Sequence, residues 1–83
     1  MNESEEVKRE GLFLRGLLEN ALNWPAMDRN YAKVGYEGKE AEAWWRLEKL
    51  GLACVEYSGE YCICSVSLRG ISYLKYLNKK VNT

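Results

Sequence analysis

The chain has 83 residues, of which 47% are hydrophobic and 29% charged, as is typical of one small globular domain. Its 12 Lys and Arg balance its 12 Asp and Glu, so no net charge attracts it to nucleic acid or an anionic membrane. Its apolar runs are too short to span a bilayer, and its acidic N-terminal segment is unlike a secretory signal. We therefore expect one cytoplasmic domain over residues 1–83.

The chain contains no His, which removes the usual general base and the commonest metal ligand. Cys54, Cys62 and Cys64 lack the paired CxxC spacing of a zinc site, and we interpret them as half-buried strand thiols. With Asp28 as the single Asp and no glycine-rich phosphate loop, no catalytic constellation is apparent. The sequence therefore predicts no enzyme, no metal site and no cofactor.

A long helix is predicted from Asn2 to Asn23, because apolar residues recur along it at helical spacing. Phe13 and Leu17 form a second, narrower stripe, which is either part of the core or a dimer contact. Pro25 is expected to end this helix, since the residue before a proline avoids the α region.

A short second helix is predicted from Pro25 to Lys33. Proline is well placed as the first residue of a helix. Met27 and Tyr31 are four residues apart and would share one face, and Gly35 would end the helix.

A central helix is predicted from Gly38 to Leu50. Its inward face carries Ala43, Trp44, Leu47 and Leu50, and Trp45 points almost opposite, towards the surface or an interface. Gly51 follows as the C-cap, where a left-handed backbone carries no Cβ penalty.

A β-hairpin is predicted from strands at Leu52 to Tyr57 and Glu60 to Leu68, with the turn at Ser58-Gly59. Two registers are open: a two-residue loop sets Val55 opposite Cys62, and a three-residue loop sets Cys54 opposite Cys62. Only the second makes a disulfide conceivable, and a reducing cytosol argues against it.

A last helix is predicted after Ser67-Leu68-Arg69-Gly70, with Tyr73 and Tyr76 beside its core stripe. The residues predicted to be buried are Leu14, Leu18, Ala43, Trp44, Leu47, Leu50, Leu52, Ile71, Leu74 and Leu77.

One small core does not have room for four further apolar residues: Phe13, Leu17, Tyr73 and Tyr76. We expect them to form a homodimer interface.

Two segments carry a family resemblance. Trp44 to Tyr57, WWRLEKLGLACVEY, passes from a helix through a glycine into a strand, and Ser65 to Leu77, SVSLRGISYLKYL, passes from a strand into a closing helix. The chain from Leu12 to Leu77 resembles winged helix-turn-helix domains of small MarR-like and PadR-like regulators, including those of archaea and their viruses. The resemblance implies an α+β, mainly helical fold with three helices, a two-stranded hairpin wing and a C-terminal helix.

The same resemblance implies a homodimeric transcription regulator that binds duplex DNA. The central helix would enter the major groove and the tip of the hairpin would approach the backbone. The DNA-contacting positions that the resemblance implies are Lys39, Glu42, Trp45, Arg46, Lys49, Ser58 and Gly59.

The residues themselves leave a second function open. From Glu37 to Lys49 the chain carries four acidic and three basic residues, and the hairpin tip adds Glu60. DNA-binding surfaces normally supply several cations for phosphate contacts. The alternative is a winged-helix module that binds a protein partner through Trp45 and binds no DNA.

Overall fold

The computed structural model describes residues 3–81, apart from the side chains of residues 3, 4, 6, 80 and 81. The predicted start of the first helix, Asn2, lies outside the described residues. Within them, no helix combines the length and the hydropathy needed to cross a membrane. The elements are α1 (Glu3–Leu22), β1 (Ala32–Val34), α2 (Lys39–Lys49), β2 (Ala53–Ser58), β3 (Tyr61–Val66) and α3 (Leu68–Val81).

The three strands form one antiparallel sheet in the order β1-β3-β2. β2 and β3 are the predicted hairpin, and β1 pairs with the other edge of β3 from Ala32 opposite Cys64 to Val34 opposite Cys62. The predicted two-stranded hairpin is therefore confirmed, but it is part of a three-stranded sheet, since the unpredicted strand β1 joins it. The arrangement is compatible with a winged-helix-like topology.

The core lies between one face of this sheet and the three helices. Its buried members are Leu17, Leu18, Ala21, Leu22, Val34, Ala43, Trp44, Leu47, Ala53, Cys62, Cys64, Val66 and Leu74. Of the ten residues predicted to be buried, Leu14, Leu52, Ile71 and Leu77 are only half-buried. Leu50 is 52% exposed, and its predicted burial is wrong. It is the C-cap of α2, where the chain leaves the helix and the helical spacing no longer points the side chain inward.

The predicted helix from Pro25 to Lys33 is wrong. α1 ends in a Schellman motif, with Asn23 at φ 57° and the Trp24 N–H donating to Glu19 O at 2.9 Å. Met27 has φ 54°, which an α-helix excludes. Tyr31 N then donates to Ala21 O at 3.2 Å, which turns the chain back along α1 and into β1.

This correction changes how α2 is reached. Loop residues 35–38 connect β1 directly to α2, so in the described chain no helix stands immediately before α2. A helix-turn-helix requires such a preceding helix. The part of the resemblance that depends on two consecutive helices is therefore missing.

Gly51 ends α2 with a left-handed backbone, as predicted, although the C-cap itself is Leu50 and Gly51 is the residue directly after it. Gly51 has φ 80°, its N–H donates to Glu48 O at 3.0 Å, and Leu52 N donates to Leu47 O at 2.9 Å. These two bonds form a Schellman motif in which glycine supplies the left-handed residue. They turn the chain from α2 into β2.

Ser67 joins the start of α3 to the end of α2. Its Oγ accepts from Gly70 N at 3.0 Å, as an N-cap does, and donates to Gly51 O at 2.7 Å. Gly70 leaves no space for a side chain, because a Cβ there would collide with Leu52 O and lie 2.6 Å from Val66 Cγ1. This close contact fixes where α3 crosses the end of α2.

Both predicted hairpin registers are wrong. The turn is Gly59-Glu60, with Ser58 paired to Tyr61, because Gly59 takes the positive φ (63°) at the first turn position. Val55 therefore lies opposite Cys64, and Cys54 lies opposite Ser65. All three cysteines are free thiols.

Candidate interaction surface

The outward side of α2 is set by which of its side chains enter the core. Ala41, Ala43, Trp44 and Leu47 are buried, so the opposite side of the helix faces solvent. The charged residues that the resemblance placed there are all exposed: Lys39, Glu42, Arg46 and Lys49. Trp45, expected at the surface, is half-buried.

Trp45 is half-buried because it lies in a groove between α2 and the hairpin. This groove, the α2–hairpin groove, is lined by Glu42, Trp45, Arg46, Glu48, Lys49 and Tyr57. The structure thus brings four of the seven predicted DNA-contacting residues together: Glu42, Trp45, Arg46 and Lys49. Ser58 and Gly59 are exposed at the end of the hairpin and do not line the groove, and neither does Lys39.

The hairpin is held beside α2 by Tyr36, which the sequence did not single out. Its ring stacks on Tyr57, with centroids 5.8 Å apart and planes 12° apart. Its hydroxyl donates to Gly59 O. Because Tyr36 lies in the loop that leads into α2, the hairpin tip is fastened to the N-terminal end of that helix.

Two of the charged groups in the groove have partners within the chain. Arg46 forms an ion pair with Glu10 of α1, and Glu48 Oε2 accepts from Val55 N at 3.1 Å. In the part of the chain that the structure describes, Lys39 and Lys49 form no ion pair. Both Arg46 and Glu10 are about half exposed, so their ion pair adds little stability and is easily exchanged for another partner.

Comparison of the chain with protein-family models, with curated proteins and with solved structures finds no match.

The two adjacent tryptophans each carry an indole N–H that is enclosed and has no acceptor within the described residues. Trp44 is 1% exposed and belongs to the core. Trp45 lines the α2–hairpin groove with part of its ring, and its enclosed Nε1 meets no acceptor among the described residues. A buried donor without an acceptor costs about 1–3 kcal/mol.

The four residues predicted to form a dimer interface do not form one surface. Leu17 is buried in the core of its own chain. Phe13 lines a groove between α1 and α2, whereas Tyr73 lines a different groove, between α1 and α3. Tyr76 is exposed on α3. Self-association through Phe13, Tyr73 and Tyr76 stays a prediction.

The thiols differ in their surroundings. Cys54 is exposed on the open face of the sheet, whereas Cys62 and Cys64 are buried on its core face. Burial, followed by the charges of Cys62, Glu48 and Glu40, raises the pKa of Cys64 from 9.0 to about 11. Cys64 is therefore a neutral thiol near neutral pH. Among the described residues, no group of three or more His, Cys, Asp or Glu could hold a metal ion.

Proposed function

We propose that the protein is a protein-interaction module with a winged-helix-like arrangement, and that it binds a partner protein in the α2–hairpin groove. The observation that carries this proposal is the composition of the groove. Two aromatic residues, Trp45 and Tyr57, lie among two acidic and two basic residues: Glu42, Glu48, Arg46 and Lys49. Aromatic residues and Arg are enriched in protein interfaces, whereas phosphate contacts require an excess of cations.

The charges around the groove favour a partner that presents both signs. A phosphate group approaching Arg46 and Lys49 would meet the carboxylate of Glu42 within the groove and approach a hairpin tip that carries Glu60. A protein segment with one acidic and one basic side chain has no such conflict, because it can pair with Lys49 and Glu42 together.

The half-buried ring of Trp45 offers apolar surface to such a partner in the groove, whereas its Nε1 is enclosed. The stacking of Tyr36 on Tyr57 supports a preformed groove, which loses little conformational entropy on binding.

Capture from cells, followed by titration with the purified partner, tests this proposal. Trp45→Ala should weaken binding at least tenfold, as expected for a buried aromatic anchor. Ile63→Ala is the matched control. Ile63 pairs with Lys33 and Glu56 on the open face of the sheet, away from the face that carries Tyr57. Thermal melting of both variants checks that they fold. A partner whose affinity is the same for wild type, Trp45→Ala and Tyr57→Ala would rule out the groove as its site.

Duplex DNA binding is the second candidate function. It is favoured by the order of the elements, since α2 directly precedes the β2–β3 hairpin and α3 follows it, as the resemblance to winged-helix regulators implies. Lys39, Arg46 and Lys49 on the outward side of α2 would then supply the phosphate and base contacts.

Fluorescence anisotropy with randomised duplexes at low salt distinguishes the two functions. If the protein binds DNA, Lys49→Ala should lower the slope of log affinity against log salt by about one. Arg46→Ala should cost about 1–3 kcal/mol if Arg46 contacts a base. DNA binding that depends on both residues would replace the interaction module as the function of this surface.

A further inference from the structure

A second surface crosses α3 on another side of the molecule. One groove beside α3 is lined by Leu50, Leu52, Arg69, Ser72, Tyr73 and Tyr76. A second groove is lined by Lys8, Gly11, Leu12, Arg15, Tyr73 and Leu77. Tyr73 belongs to both, so the two grooves form one continuous surface, which we call the α3 face.

The α3 face exposes large apolar side chains. Leu12 is 68% exposed, Leu50 52% and Tyr73 41%. Half-buried Leu52 lines the first groove and half-buried Leu77 lines the second. Each groove therefore has apolar walls that an apolar side chain of a partner could contact. Contiguous apolar surface of this kind marks an interaction site more often than a scattered leucine does.

The charges that line the α3 face are all positive. They are Lys8, Arg15 and Arg69, and none of the other lining residues is acidic. Arg15 Nε forms an ion pair with Glu19 Oε1 at 3.3 Å, whereas in the described chain Lys8 and Arg69 form no ion pair. The sequence of α3, LRGISYLKYLNKKV, contains four basic residues and no acidic residue. The α3 face is therefore a basic region of a chain whose net charge is zero.

We propose that the α3 face binds an acidic amphipathic helix of a partner protein. Leucine-like side chains at helical spacing would enter the two grooves on either side of Tyr73, as in other complexes in which a helix binds a groove. Acidic side chains on the flanks of that helix would pair with Lys8 and Arg69, the lining cations that form no ion pair among the described residues.

The uniform charge favours this occupant over a second copy of the chain. A two-fold axis through the α3 face would place this positively charged surface against the same surface of the other copy, which supplies no acidic lining residue to pair with Lys8, Arg15 or Arg69. The grooves favour an amphipathic helix over duplex DNA, because a phosphate backbone would contact the basic side chains but leave the apolar walls of the grooves without a partner.

The test titrates the full-length, ¹⁵N-labelled protein with a synthetic peptide and follows its amide resonances. The peptide has about 14 residues, four helical turns, with Leu at positions i, i+3, i+4 and i+7 and Glu at most others. A matched peptide carries Lys in place of each Glu. We expect shifts of Leu12, Arg69 and Tyr73 with the acidic peptide, and at least tenfold weaker binding of the basic one.

Variants connect the binding to the α3 face. The double substitution Lys8→Glu, Arg69→Glu should weaken the binding of the acidic peptide at least tenfold. Lys33→Glu, on the open face of the sheet, should leave the affinity for this peptide unchanged. Equal affinity for both peptides, shifts confined to the α2–hairpin groove, or no binding of the acidic peptide would each overturn the proposal.

Two further outcomes would assign the α3 face to another occupant. A dimer in sedimentation that Tyr73→Glu dissociates would assign it to a second copy. Duplex DNA binding that the Lys8→Glu, Arg69→Glu double substitution abolishes would assign it to DNA. Trp45 and Tyr57 do not line the α3 face, so failure here leaves the proposal for the α2–hairpin groove standing, and the reverse also holds.

Discussion

The side chain of Asn30 pairs with the backbone of Val66 as a strand residue would. Its Nδ2 donates to Val66 O at 2.9 Å, and its Oδ1 accepts from Val66 N at 2.7 Å. β1 begins only at Ala32, which pairs with Cys64. Asn30 therefore extends the pairing of β3 beyond the end of β1 and satisfies a donor and an acceptor that β1 does not reach.

Replacing Asn30 by Ala should lower the free energy of unfolding by about 1–3 kcal/mol, because both backbone groups of Val66 lose their partner. Asn30→Asp should cost at least as much, since a carboxylate oxygen would replace the donor that faces Val66 O. Urea unfolding measures both. Asn78→Ala, an exposed change on α3, is the control, and equal stability of the two Ala variants would contradict this role.

Gly70 and Gly16 should respond in opposite directions to substitution by Ala. At Gly70 a Cβ would collide with Leu52 O and Val66 Cγ1, so Gly70→Ala should destabilise the protein by about 1–3 kcal/mol or more. At Gly16, within α1, a Cβ would have no atom within 4 Å. Gly16→Ala should stabilise the protein by up to about 1 kcal/mol through helix propensity. Thermal unfolding of the pair checks both signs.

Leu47 and Leu50 lie one turn apart in the sequence, but only Leu47 is in the core. Leu47 is 1% exposed, and Leu47→Ala should cost about 2–5 kcal/mol of unfolding free energy. Leu50→Ala should change it by less than about 1 kcal/mol, because half of that side chain is already in water. A comparable loss in both variants under urea would show that Leu50 contributes to the core after all.

The thiol of Cys64 should make stability fall at alkaline pH. Burial raises its pKa from 9.0 to about 11, so between these values the folded state keeps a proton that the unfolded state has lost. Its stabilising contribution is complete below pH 9 and disappears as pH rises to about 11, a loss of up to about 2–3 kcal/mol.

Cys64→Ala removes this titration and leaves the lysines and tyrosines in place. The difference in unfolding free energy between wild type and the variant should therefore narrow between pH 9 and a pH of about 11, measured in urea with a reductant present. A constant difference would mean that the folded thiol ionises as readily as the unfolded one.

Local rules predicted those parts of the fold that depend on neighbours in sequence. Gly51 ends α2 as expected, because a glycine C-cap needs only the preceding turn of helix. β1 was missed because its three residues carry little pattern of their own and pair with β3, about thirty residues later. The hairpin register was missed because assigning the turn to Ser58-Gly59 rather than Gly59-Glu60 shifts every pair along the strands.

The sequence predicted which residues lie on the surface of the candidate site, but not the contacts between distant segments that shape it. Helical spacing was enough to place Glu42 and Lys49 on the outward side of α2, and the resemblance added Arg46. It could not show that Tyr36 and Tyr57 stack, since that contact joins a loop to a strand about twenty residues away. For the same reason spacing placed Trp45 only at the surface or in an interface, whereas the structure leaves it half-buried in a groove that Tyr57 of the hairpin also lines.

The strand order β1-β3-β2 has a consequence for synthesis on the ribosome. The central strand, Tyr61–Val66, is the last of the three to be made, so β1 and β2 have no strand between them until it emerges. A nascent chain that ends before Tyr61 holds α1, β1 and α2 without the strand that joins them. We therefore expect the backbone amides of the domain to gain protection from exchange together, once β3 is in place.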